Sequence, residues 1–185
     1  MDVRRSRRDR LASIPPDHLL LMAREGLFGI LNTTSVAHVT KVLESAAARG
    51  SEESGWLLDK LRSKGAIPEF CKDWRAKRRW LAEIMATEDS PRAQYYRGRA
   101  LWLLGDDDSG LKLLRQSAEA GFAPAMSLLG NATGSREEVM AWTRKAAELN
   151  DPDGLYELGG LVEEGRFELL CEAATRGHTF SMLDL

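Results

Sequence analysis

The chain of 185 residues predicts an all-α fold, on three observations. Apolar residues recur at helical spacing almost throughout. Alternation of β-branched residues is nearly absent, and proline is scarce after Pro15-Pro16. Short polar breaks punctuate the apolar segments: RGSEES from Arg49, EDSP from Glu88, GDDDSG from Gly105, GFAP from Gly121, NATGS from Asn131 and NDPDG from Asn150. Gly and Asn stop a helix, Ser and Asp cap the next one, and Pro fits its first turn. Many short helices joined by tight turns follow from this.

In chain order, residues 1–13 read as a basic, disordered arm, with Arg4, Arg5, Arg7, Arg8 and Arg10 in the first ten positions. A secretory signal needs an apolar core after the arginines, yet LASIPPDH follows. Asp2 and Asp9 interrupt the run, against a mitochondrial presequence. The other reading is a nuclear-import or phosphate-contacting arm. Residues 14–34 are expected to form a capping helix region over the first repeat, since an end unit needs a cover. Within them, IPPDHLLLMAREGLFGILN (Ile14–Asn32) resembles the Pro-then-leucine opening of F-box-like helices. That likeness implies a ubiquitin-ligase substrate adaptor.

Residues 35–185 repeat. Placing Gly50, Gly121, Asn150 and Gly177 in register puts Ala46, Ser117, Ala146 and Ala173 four positions upstream. Three positions upstream stand Ala47, Ala118, Ala147 and Ala174. Four positions downstream the residue is small (Ser54, Ala125, Gly154, Ser181), and eight downstream it is always leucine (Leu58, Leu129, Leu158, Leu185). A degenerate copy turns at Asp89, with Ala93 at the small position, Arg97 in place of leucine, and Gly98 matching Gly130 and Gly159. Before one turn, Val139, Trp142, Thr143, Ala146 and Ala147 share a helical face. The paired alanines let the neighbouring helix approach near the turn, and Gly or Asn accepts the left-handed conformation there. Ser135 with Glu138 fits a capping box. Each hairpin has an apolar face it cannot bury alone, so the copies must stack.

The phrases RQSAEAGFAPAMSLLG, RKAAELNDPDGLYELGG and CEAATRGHTFSML resemble the helix-turn-helix junction of Sel1-like repeats, relatives of tetratricopeptide repeats. LGGLVEEG (Leu158–Gly165) resembles that family's LGxxYxxG segment, with Val162 at the aromatic position. The likeness covers roughly 93–185, and LESAAARGSEESGWLL (Leu43–Leu58) adds an earlier copy. It implies a right-handed α/α superhelical solenoid of stacked hairpins with a truncated last repeat. It also implies a non-enzymatic scaffold or adaptor binding a partner protein or peptide. The later turn-to-turn steps of 29 and 27 residues are short for the family, so the connection between the two helices of a unit, as in GDDDSG or NATGS, is expected to be trimmed.

Little direct chemistry accompanies the repeats. A net charge of −2 gives no whole-protein case for nucleic acid or an anionic membrane as partner. No run of about 18 apolar residues exists to span a membrane. Cys71 and Cys171 form no CxxC pair, which fits an intracellular home, cytoplasmic or nuclear. His18, His38 and His178 lack ligand spacing, and Asp106–Asp108 suits helix capping better than calcium. No metal and no cofactor is expected. A small helical enzyme with an unrecognised site is the alternative of a different class.

Candidate partner contacts rest on aromatic and basic residues. Trp102 lies beyond the repeat glycine, where the register predicts an exposed aromatic, and Arg99 is beside it. Tyr95 and Tyr156 share a register position and are secondary candidates, while Trp142 is expected in the core. KDWRAKRRW (Lys72–Trp80) interleaves basic residues with tryptophans, so Arg75, Lys77, Arg78 and Arg79 form a candidate basic contact patch. Counting from Ser181, Leu185 is the fifth residue of a new helix. An apolar stack end around Leu169, Leu170, Met182 and Leu185 is therefore expected to self-associate or dock a partner.

Overall fold

The computed structural model describes residues 11–28, 36–63, 73–132, 134–178 and 180–181. The arginine run, Cys71, Met182 and Leu185 lie outside the described residues. Among those described, every regular element is an α-helix. They are α1 (Pro16–Phe28), α2 (Val36–Ala47), α3 (Glu52–Arg62), α4 (Trp74–Met85) and α5 (Pro91–Trp102), then α6 (Asp107–Glu119), α7 (Ala123–Ala132), α8 (Arg136–Glu148), α9 (Pro152–Leu161) and α10 (Arg166–Thr175). The chain divides into two compact units, Met1–Lys77 and Arg78–Leu185, the boundary falling inside α4.

In the first unit α1 packs on α2 and α2 on α3. Leu19, Ala23, Leu27, Leu43, Leu57 and Leu61 are fully buried there. Arg24 Nη2 donates to Glu53 Oε1 at 2.7 Å, tying α1 to α3 through a largely desolvated ion pair.

In the second unit each helix from α5 to α9 packs on its successor, and α7 also touches α9. Consecutive packing of this kind is that of an all-α solenoid. The connections at GDDDSG and NATGS are short: residues 103–106 separate α5 from α6, and 133–135 separate α7 from α8.

The turns explain the register. Gly50, Gly121, Asn150 and Gly177 have φ of 94°, 92°, 59° and 94°. At each, the next residue's N–H reaches back to the carbonyl of Ala46, Ser117, Ala146 or Ala173, at 3.0–3.2 Å. The turn residue's own N–H meets the carbonyl one position further on, as Asn150 N to Ala147 O at 2.8 Å. This is the Schellman closure that satisfies a helix's last carbonyls. Gly105, with φ of 90°, closes α5 the same way.

Small residues mark close helix approaches. A Cβ on Gly154 would sit 2.5 Å from Ala146 Cβ, and one on Gly130 would sit 2.7 Å from Thr143 Oγ1. Gly98 likewise faces Leu113 and Leu114. Ser117, replacing alanine in the register, places its hydroxyl 2.6 Å from Pro91 O. The expected capping box is half formed. Ser135 Oγ accepts Glu138 N–H at 3.1 Å, while the Glu138 carboxylate pairs with Arg115 at 2.9 Å.

Candidate partner-binding surface

After four of the five register turns the next residue takes the capping position, Phe122 after Gly121 being the exception. Ser51, Ser90 and Asp151 accept the N–H of Ser54, Ala93 and Gly154. His178 holds the same position: its Nδ1 accepts Ser181 N–H at 3.2 Å and lies 3.0 Å from Ser181 Oγ. Its Nε2 lies 3.7 Å from Asp153 Oδ1. Asp153, His178 and Ser181 thus carry the atoms of an acid–histidine–serine relay, but Ser181 is 0% exposed. A nucleophile with no access to substrate does no chemistry. The register accounts for the trio as a cap.

Around that cap stands an aromatic cluster. The Tyr156 ring stacks on His178 with centroids 4.2 Å apart and planes at 26°. Phe180 lies 6.4 Å from Tyr156 and 6.0 Å from His178. Tyr156 and His178 are half-buried, and Tyr156 also backs onto the Ala147–Leu155–Ala173 core. Phe180 is 63% exposed and Phe167 64%. Asp153, Tyr156 and Glu157 share one face of α9, being three and four residues apart. Glu157 Oε1 accepts from Asn131 Nδ2 at 3.1 Å.

The other candidates fare differently. Tyr95 is only 2% exposed; it meets Tyr96 edge-on at 5.0 Å and accepts from Arg99 Nη1 at 2.9 Å. It is core, which corrects its assignment to a contact surface. Trp102 is half-buried, because its backbone and Cβ pack where Gly110 has no side chain. Among the described residues the exposed aromatics are Phe167 and Phe180 instead. Trp142, expected in the core, is half-buried with Lys145 Nζ 4.6 Å above its ring.

The basic patch does not survive intact. Lys77 and Arg78 are 4% and 5% exposed. Lys77 Nζ donates to Gly26 O and Arg78 Nη1 to Leu103 O, both at 3.0 Å. Both carbonyls end helices, where cations are favoured. Burial, and secondarily the Arg99 charge, lowers the Arg78 pKa. Arg78 and Arg99, from separate candidate groups, are thus brought together. Arg75 and Arg79 remain exposed on α4, Arg75 lying over the Trp74 ring at 4.6 Å.

The expected apolar stack end is also changed. Leu170 is buried, and half-buried Leu169 packs on the α9–α10 core, so neither offers an exposed end. Among the described residues no group of three metal-ligating side chains occurs. Nor, among them, is any helix long and apolar enough to cross a membrane.

No protein-family model and no curated protein matches the chain. Among solved structures it is similar to c5321, a protective antigen present in uropathogenic Escherichia coli strains, whose crystal structure displays an SLR (Sel1-like repeat) fold. The identity is 22% and the TM-score 0.50, over 90% of this chain and 39% of that one. The chain therefore spans about two fifths of that antigen's length. Stacked hairpins, left-handed turn residues and small-residue helix contacts agree with that likeness: the chain folds as an all-α solenoid of the Sel1-like-repeat type.

Proposed function

We propose that the chain is a non-enzymatic scaffold or adaptor that binds a partner protein or peptide, with the Tyr156–His178–Phe180 cluster as its contact. The observation that carries this reading is Phe180, 63% exposed yet lying against two further rings. Exposed aromatics on a rigid support are the residues that dominate partner binding. An intracellular setting is supported by cysteine usage, two residues a hundred positions apart with no paired motif. The F-box-like alternative has no such support, because Leu19, Leu20 and Leu27 are spent in the first unit's own core.

The test is capture from native lysate on the full chain, compared with Phe180→Asp. Proteins retained by the wild type and lost with the variant are the expected result. Retention no better than on blank resin overturns the scaffold reading.

A further inference from the structure

The cluster's surroundings say which chemistry it suits. Between 148 and 176 the chain carries eight carboxylates against two arginines, although the whole chain is nearly neutral at −2. Of the two, Arg176 is paired with Glu172 at 2.7 Å. Asp153, with 44% of its side chain exposed, and Glu157 flank Tyr156 on the same face of α9. Exposed ring faces beside carboxylates attract a cation twice over, through the ring quadrupole and through charge. An acidic ligand would meet like charge here, and a neutral one would gain nothing from the carboxylates. Deepening the scaffold reading on which it rests, we infer that this face takes an arginine- or lysine-bearing segment of a partner polypeptide. Its cationic side chain packs against Phe180 and Tyr156, with Asp153 and Glu157 as counter-charges.

Fluorescence anisotropy on the full chain tests this with a labelled short peptide alternating glycine with arginine. A matched peptide carrying citrulline, which keeps the shape and loses the charge, is the control. The arginine peptide should bind, more weakly as salt rises, and the citrulline peptide should not. Phe180→Ala, at a position 63% exposed, should weaken binding by about threefold. The Asp153→Asn/Glu157→Gln pair should weaken it by about tenfold, on the order of two charge contacts.

Equal binding of both peptides, binding of neither, or indifference to both variants overturns the inference. The scaffold reading survives any of these if lysate proteins are still lost with Phe180→Asp, and falls only if that capture fails. If deleting residues 1–10 raises the affinity for added peptide by about tenfold, the occupant is the chain's own arginine run. That outcome overturns the partner-derived version.

Discussion

Asn150 is, among the described residues, the one non-glycine with a left-handed backbone, at φ 59°. Its side chain can bond locally, so it tolerates a conformation that costs most L-residues about 1–2 kcal/mol. Asn150→Ala should therefore lower stability by about 1 kcal/mol, whereas Asn150→Gly should be neutral or slightly stabilising. Urea denaturation of the two variants reads this difference. The position is legible in the sequence because it aligns with Gly50, Gly121 and Gly177. His178 is not legible as a cap, since histidine is outside the usual capping set. Only the register shared with Ser51 and Asp151 would have pointed to it.

At the scale of one helix, α9 contains glycines of opposite meaning. A Cβ on Gly154 would collide with Ala146, while one on Gly160 meets nothing within 4 Å. Gly154→Ala should cost on the order of 1–3 kcal/mol by forcing α8 and α9 apart. Gly160→Ala should gain about 0.5–1 kcal/mol from backbone entropy. Thermal melts of both decide whether close approach or helix propensity governs each site. Helix α4 teaches the converse. Its basic run looks like a solvated face, yet Lys77 and Arg78 are buried against carbonyls 51 and 25 residues away in sequence. No local pattern announces a partner that distant. Arg78→Ala should cost about 1–3 kcal/mol, because it leaves the Leu103 carbonyl without that donor, against under about 0.5 kcal/mol for exposed Arg79→Ala.

For the whole molecule, charge distribution matters more than net charge. The exposed basic residues of the candidate patch reduce to Arg75 and Arg79, too few to hold a phosphate backbone at physiological salt. Titration of labelled single-stranded RNA or duplex DNA should show no binding there that the Arg75→Ala/Arg79→Ala variant removes. The acidic stretch from 148 to 176 instead coincides with the exposed aromatics of the second unit. That coincidence, on which the proposed cationic partner rests, is concealed by the value of −2.

By itself the sequence determined the all-α class, the turn positions and the small residues where helices close in. All of these are local demands: a 3.6-residue period, a left-handed residue, a Cβ too many. Tertiary structure alone decided depth. Tyr95 and Tyr156 share a register position, yet Tyr95 lies against Tyr96 and Phe122 in the core while Tyr156 meets His178 and Phe180 at the surface. Helical periodicity says which way a side chain points along its own helix. What lies above it is set by residues distant in sequence, and so the exposed aromatic cluster emerged only once the hairpins were stacked.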